Sequence, residues 1–177
     1  MKPLSPVHFA LLLGLWATVS AAAAPAFDFK GIRLGESSTP KQIRERLGVS
    51  CGIGAEDIQV CNGRVTIAEE PAEMNLVLSA TGVVQRINLT LEPEQFDIVA
   101  TELIRKFGKP ATHSRSTVQN GFGANFAQQA IQWNGPAGTV LFFEKYAGSL
   151  RQSMLFFSTA ADRRKMESLK KDRHKDL

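Results

Sequence analysis

The sequence predicts an α+β fold in which two tandem repeats, each a helix followed by antiparallel strands, form a two-layer sandwich with one disulfide. A helix pattern that ends in glycine occurs twice, at Gly48 and at Gly108, 60 residues apart. A glycine turn between two β-prone runs also occurs twice, at Gly82 and at Gly148, 66 residues apart. A repeated order of elements at a nearly constant spacing indicates an internal duplication of about 65 residues.

Residues 1–23 have the composition of a secretory signal peptide. Lys2 precedes an apolar stretch over residues 9–19, and alanines follow at residues 21–24. The apolar stretch is shorter than the about 20 residues that a membrane-spanning helix needs, and no later stretch reaches that length. We therefore expect a periplasmic protein, exported by a cleaved signal, with no transmembrane segment in the mature chain.

The first repeat, residues 24–91, begins with an alternating apolar run whose phase slips at Gly31, which predicts a strand with a glycine bulge. A helix is predicted next, because Thr39 and Gln42 form a capping box around a proline at the first helical position. Gly48 then predicts the end of this helix.

The strands of the first repeat are predicted from turn signals. Asn62-Gly63 lies between two short β-prone runs, which is the strongest local signal for a hairpin. A second antiparallel pair is predicted around Gly82, from residues 76–79 and 83–91. Its apolar side chains alternate with polar ones, so we expect one face of the sheet in the core and the other in water.

The second repeat, residues 92–160, opens with a helix that is predicted to begin at Pro93 and to end at Gly108. Its apolar residues follow one stripe of the helix: Phe96, Val99, Ala100, Leu103 and Phe107. Strands are then predicted over residues 112–118, 129–133, 139–146 and 150–158, of which the last two form a hairpin at Gly148.

Residues 161–177 form a charged tail, which we expect to be flexible because Met166 and Leu169 alone are too few apolar residues to hold a helix in place. The tail contributes most of the formal net charge of +4, and the body of the chain is neutral. A neutral body lacks the positive surface that phosphate binding requires, so no nucleic-acid partner is expected. The basic surplus of the tail permits weak contact with an anionic surface.

Cys51 and Cys61 both lie in the exported part of the chain, where a disulfide is stable. A redox-active pair is an alternative, although such pairs use the closer Cys-x-x-Cys spacing. A metal site would need further ligands from a mature chain with only two histidines, His113 and His174. Residues 120–126 begin like a dinucleotide loop but lack its third glycine. We therefore expect a structural disulfide, no metal and no cofactor.

Few residues suit catalysis. His113 lies beside Ser114, but neighbouring residues of a strand point to opposite faces, so no pair of nucleophile and base is expected. Glu69, Glu70 and Glu73 cluster around a proline, and paired carboxylates are the groups that glycosidases use. The proline favours an exposed turn for this cluster. The cluster nevertheless gives an alternative function, a cell-wall-directed hydrolase that uses the three carboxylates.

Two features suit recognition of a partner. The strands predicted over residues 139–146 and 150–158 are apolar on consecutive positions, so either both faces of the sheet are covered or one face is sticky. The other feature is a set of residue types that are enriched at binding hot spots: Arg115, Asn120, Phe122, Phe126, Trp133 and Tyr146. We take this set as the candidate partner-binding surface. A purely structural envelope component is the alternative if no partner exists.

Two short motifs resemble motifs of periplasmic proteins with the β-lactamase-inhibitor-protein-like fold. They are FKGIRLG at residues 29–35 and KFGKP at residues 106–110. That fold is also seen in the small outer-membrane lipoprotein of the barrel assembly machinery. The resemblance implies helices on an antiparallel sheet and a role in protein binding, inhibition or envelope assembly, and it brings no catalytic residues. We therefore expect a non-enzymatic protein that binds another periplasmic protein or an envelope component, as an inhibitor, an immunity-type protein or an assembly factor.

Overall fold

The computed structural model describes residues 26–175, so the signal peptide predicted at residues 1–23 lies outside the described residues. Within this range the chain forms three α-helices, a two-stranded sheet and an eight-stranded antiparallel sheet. The predicted α+β class is therefore confirmed. None of the described helices has both the length and the apolar character that crossing a membrane requires.

The described chain begins with a small hairpin of β1 (Asp28–Phe29) and β2 (Ile32–Arg33). Lys30 and Gly31 form its turn, with φ angles of 48° and 77°. The sequence predicts a bulge at this glycine, but the structure uses it in a two-residue turn, which needs left-handed residues at both positions. The turn places Phe29 and Ile32 in the core.

The first helix, α1 (Pro40–Leu47), starts at its predicted capping box. The hydroxyl of Thr39 accepts the backbone amide of Gln42 at 3.2 Å, and the side-chain oxygen of Gln42 accepts the amide of Thr39 at 2.9 Å. Gly48 follows the helix in a left-handed conformation, with φ 69°. Both ends of α1 are thus determined by local hydrogen bonding and backbone conformation.

The large sheet has eight strands, and its edges are strands from different halves of the chain. The strands are β3 (Ser50–Ile53), β4 (Gln59–Ile67), β5 (Glu70–Leu78), β6 (Val84–Leu91), β7 (Thr112–Gln119), β8 (Asn125–Asn134), β9 (Val140–Glu144) and β10 (Ser153–Ser158). Helix α2 (Phe96–Phe107) connects β6 to β7, and α3 (Ala160–Lys175) follows β10. The order in the sheet is β3-β4-β5-β6-β10-β9-β8-β7, so β6 and β10 form its middle.

The hairpin predicted at Asn62-Gly63 is wrong, because β4 runs through both residues without a turn. The turn lies instead at Ala68 and Glu69, whose φ angles are 51° and 66°. The reason is a tertiary contact: a Cβ on Gly63 would lie 2.9 Å from Cγ1 of Val49, a residue of the segment after α1. Glycine is needed here because another part of the chain approaches closely, not because the chain turns.

The predicted disulfide is confirmed. Cys51 of β3 lies directly opposite Cys61 of β4, and the S–S distance is 2.04 Å. The sequence does not predict β3, because its four residues include a serine and a glycine and have weak β propensity. Cys61 is fully buried, so the bridge attaches an edge strand of the sheet to the core.

The face of the sheet towards α1 and α2, here called the core face, contributes to one continuous hydrophobic core. Phe96, at the start of α2, stacks on Phe143 of β9 with 4.4 Å between ring centroids. Trp133 of β8 is 3% exposed, and its indole nitrogen donates to the carbonyl of Gly108 at 2.8 Å. This hydrogen bond connects the end of α2 to β8.

Helix α3 lies where the sequence favours a flexible tail. Thr159 caps the helix by accepting the amide of Asp162 at 3.1 Å. The guanidinium of Arg163 donates to the carbonyl of Gly138 at 2.7 Å, and Asp162 lies 3.8 Å from Arg86 of β6. Contacts with distant parts of the chain thus hold the first turn of the helix in place. The sequence of the tail, with its two apolar residues, does not predict these contacts.

Candidate functional site

The face of the sheet opposite the core face, here called the open face, carries the candidate site. Its middle is a row of six residues that lie opposite one another on adjacent strands: Asn62, Asn75, Asn88, Phe156, Phe142 and Gln132. We call these residues the central row. Each is at least partly exposed, whereas Leu155 and Phe157, on either side of Phe156 in the chain, are buried. The alternation places Phe156 on the open face and its neighbours in the core.

The central row has a polar half, which is the three asparagines, and an aromatic half, which is Phe156 and Phe142 with Gln132 at its outer end. In the polar half, the amide nitrogen of Asn75 donates to the side-chain oxygen of Asn62 at 2.7 Å. In the aromatic half, the rings of Phe142 and Phe156 lie 6.4 Å apart, centroid to centroid. Such a surface offers both hydrogen-bonding groups and a large apolar contact area.

A second aromatic pair lies on the same face, where Phe126 of β8 contacts Tyr146 edge to face at 6.1 Å between centroids. Gln128 holds this end of the face in place. Its side-chain nitrogen donates to Glu144 at 3.0 Å and to the carbonyl of Tyr146 at 3.1 Å, and its side-chain oxygen accepts the Tyr146 amide at 3.0 Å. Gln128 is buried, so the tyrosine backbone is held by a side chain protected from water.

The structure brings together only part of the candidate surface predicted from sequence. Phe126 and Tyr146 meet on the open face, but Phe122 lies at the tip of the turn between β7 and β8 and is 99% exposed. In that turn the side chain of Asn120 accepts the amides of Phe122 at 3.0 Å and of Ala124 at 2.9 Å. The role of Asn120 in the structure is therefore to shape the turn.

Two further members of the predicted set lie away from the open face. Arg115 is exposed on the edge strand β7, on the core-face side of the sheet. Trp133 is buried against α2 and offers no surface to a partner. The sequence did not single out Phe142 and Phe156 as contacts, although the run of consecutive apolar positions around them was the signal for a sticky face.

The three glutamates of the alternative hydrolase do not converge. Glu69 lies in the β4–β5 turn, while Glu70 and Glu73 differ by three positions on β5 and so point to opposite faces. Glu70 accepts the side-chain amide of Gln95 at 3.0 Å. Glu73 accepts from Arg64 at 2.7 Å. Glu70 and Glu73 therefore have separate partners on opposite faces of the sheet.

His113 and Ser114 do not form a catalytic pair, and the residue types that bind metals do not cluster in the part of the chain that the structure describes. The Nε2 atom of His113 lies 3.0 Å from the side-chain oxygen of Gln129, while the hydroxyl of Ser114 donates to the carbonyl of Ala130 at 3.3 Å. The histidine and the serine therefore point away from each other. Over residues 26–175, no group of three histidine, cysteine, aspartate or glutamate residues is placed to hold a metal ion.

One end of the open face is covered by the first turns of α3, and a carboxylate is buried there. Burial raises the pKa of the Asp162 carboxyl, and the positive charges of Arg86, Arg163 and Lys165 lower it by less. The ionised carboxylate is therefore less stable in the folded protein than in the unfolded chain.

We expect Asp162→Asn to remove a pH dependence of stability. Because folding raises this pKa, the folded state holds the proton more tightly, and the contribution of Asp162 to the free energy of unfolding falls as the pH rises from about 3.9, the usual value for aspartate, through the raised pKa. Urea unfolding of both proteins across the acid range measures the effect. The stability of the variant relative to the wild type should increase with pH in this window, and a constant difference would contradict the assignment.

Comparisons with known proteins identify no relative. No protein-family model matches the sequence, and neither the curated proteins nor the solved structures contain a match.

Proposed function

We propose that this protein is a non-enzymatic, exported protein of the periplasm that binds another protein or an envelope component through its open face. The main support is the position of Phe142 and Phe156, side by side on a sheet face that α1 and α2 do not cover. Partly exposed aromatic side chains gain free energy when a partner removes them from water, and they are common at the centres of interfaces.

We also propose that the sheet consists of two tandem repeats that form one two-layer sandwich. The described elements follow the same order twice, α1-β3-β4-β5-β6 and α2-β7-β8-β9-β10. The order of strands in the sheet is mirrored about the pair β6–β10, which are the last strands of the two units. This symmetry supports a duplication.

The partner that fits this face is a folded protein with an apolar centre and a polar rim. The open face presents the two phenylalanine rings at its centre, the amides of Asn75 and Asn88 on one side, and the ion pair of Arg64 with Glu73, 2.7 Å apart, beyond them. An inhibitor or immunity protein would use such a face to cover the active site of an enzyme. An assembly factor would use it to hold another envelope component.

Photo-crosslinking from the open face tests the proposal. A benzophenone side chain is placed at Phe156 in one variant and at Ile98 in another, and both are exposed to envelope extract under light. Ile98 is a matched control because it is an apolar residue of α2 that is 51% exposed outside the open face. We expect one stoichiometric protein adduct from position 156 and none from position 98.

A competition experiment tests whether the adduct depends on Phe142 and Phe156. The double variant Phe142→Thr with Phe156→Thr keeps residues that favour strands, and circular dichroism checks that it is folded. It should fail to compete with the wild-type protein for the adduct, with binding at least ten-fold weaker. Equal labelling from both positions, or full competition by the double variant, would contradict a binding role for the open face. No adduct at either position would favour a structural role.

A further inference from the structure

A cavity of about 410 Å³ lies on the core-face side of the sheet, away from the open face. It is bordered by the turn between β1 and β2, the turn between β4 and β5, and α2. Its floor consists of apolar side chains that belong to the core: Val99, Leu103, Phe107 and Phe157. We call it the Lys30 pocket. A cavity of this size with an apolar floor suits a small ligand with an apolar part.

The rim of the Lys30 pocket is charged, and its charges do not balance. Lys106 lies 3.0 Å from Asp28, and the Nε atom of Arg105 donates to Glu102 at 2.9 Å, so each of these cations has a carboxylate partner. The ammonium of Lys30 donates to the hydroxyl of Thr66 at 2.9 Å. Lys30 forms no ion pair with any residue in the described part of the chain.

The position of this unbalanced charge follows from the backbone. Lys30 and Ala68, which both line the pocket, have φ angles of 48° and 51°. Each residue is the first of a two-residue hairpin turn, which requires the left-handed region at both of its positions. Both tight turns thus border the cavity, and the first of them places the lysine at its rim.

We propose that the Lys30 pocket binds an amphiphile with a single carboxylate and an apolar chain, such as a medium-chain fatty acid. The chain would lie on the floor of core residues and the carboxylate would accept from the ammonium of Lys30. Three cations and two carboxylates line the cavity, which gives it a net charge of +1 that one carboxylate neutralises. Lysine suits this role because its ammonium is a mobile point charge with three donors.

The test is a calorimetric titration of the exported, oxidised protein with sodium dodecanoate below its micelle concentration. Dodecyltrimethylammonium has a chain of the same length with the opposite charge, and acetate has the carboxylate without the chain. We expect saturable binding of one dodecanoate per protein and no saturable binding of the other two probes. Absence of saturable dodecanoate binding, or equal binding of the ammonium compound, would overturn the proposal.

Variants of the pocket locate the binding. Lys30→Gln should weaken dodecanoate binding about ten-fold, because a charge-assisted hydrogen bond is lost, while Lys30→Arg should keep most of it. Ala68→Leu should also weaken binding, because the larger side chain would fill part of the cavity that Ala68 lines. Lys41→Gln is the matched control, since Lys41 lies on α1 and is exposed outside the pocket. Unchanged affinity in Lys30→Gln would overturn the site even if dodecanoate binds.

These outcomes are independent of the proposed function. The open-face double variant Phe142→Thr with Phe156→Thr leaves every residue of the Lys30 pocket in place, so it should bind dodecanoate like the wild type. If dodecanoate fails to bind while position 156 still gives its adduct, the ligand site is wrong and the binding role of the open face stands.

Discussion

Trp133→Ala is expected to lower the free energy of unfolding by about 3–5 kcal/mol, the largest effect we predict for a single substitution. The indole is 3% exposed, so its removal leaves a cavity in the core. It also leaves the carbonyl of Gly108 without the hydrogen bond, 2.8 Å long, that joins α2 to β8. Urea unfolding followed by far-ultraviolet circular dichroism measures the change.

Phe122→Ala is the control for this substitution. Phe122 belongs to the same set of aromatic residues predicted from sequence, but it is 99% exposed, so its removal should change the free energy of unfolding by less than about 0.5 kcal/mol. Similar losses in the two variants would show that Trp133 is not a core residue. The pair therefore separates a residue that stabilises the fold from one that is available to a partner.

Removal of the disulfide in the double variant Cys51→Ala with Cys61→Ala is expected to cost about 3 kcal/mol. The bridge joins residues 10 apart in sequence, and the entropy of the unfolded chain rises when such a loop is opened. Cys61 is fully buried, so its replacement by alanine adds a small loss of packing. Urea unfolding of the oxidised protein and of the double variant gives the difference, together with the slope of each transition.

The reduced wild-type protein is the control for the disulfide, because it keeps both sulfur atoms and loses only the covalent bond. Reduction should account for most of the loss seen in the double variant. A transition midpoint that does not change on reduction would show that the bridge contributes no stability. Both results bear on the edge of the sheet, because β3 is held to β4 at the pair Cys51 and Cys61.

The sequence predicts α1 and α2 well because their signals are local. Thr39 and Gln42 cap α1 through hydrogen bonds that span three residues, and Gly48 follows it with a positive φ. The apolar stripe of α2 is buried in full, because a period of 3.6 residues puts those side chains on one face of the helix. These elements need no knowledge of the rest of the chain.

The strands are predicted less well because their partners lie far away in the chain. Asn62-Gly63 has the local pattern of a turn, yet the approach of Val49 requires the glycine within a strand. The true turn uses Ala68 and Glu69, which have no turn signal of their own. Pairing energies across neighbouring strands exceed the preference of a dipeptide for a turn, and no local pattern reports those energies.

The candidate site was also predicted only in part from the sequence. The consecutive apolar residues of β9 and β10 indicate either a sheet that is covered on both faces or one with an exposed apolar face, and alternation alone separates Phe156 from Phe157. Which of the two faces the core depends on where the helices pack. The stacking of Phe96 of α2 on Phe143 decides this, since it places the odd-numbered residues of β9 inside and leaves Phe142 on the open face.

By itself, the sequence determined the α+β class, both ends of α1, the buried stripe of α2 and the disulfide, because caps and helical periodicity act within a few residues and the described chain contains only two cysteines. The tertiary structure alone decided three other features. These are the strand through Gly63, the burial of Trp133 and the contacts of Asp162 and Arg163 that hold the first turn of α3. Each depends on a contact between residues that are distant in the chain, and its free energy is gained only when the whole sheet and its helices are assembled.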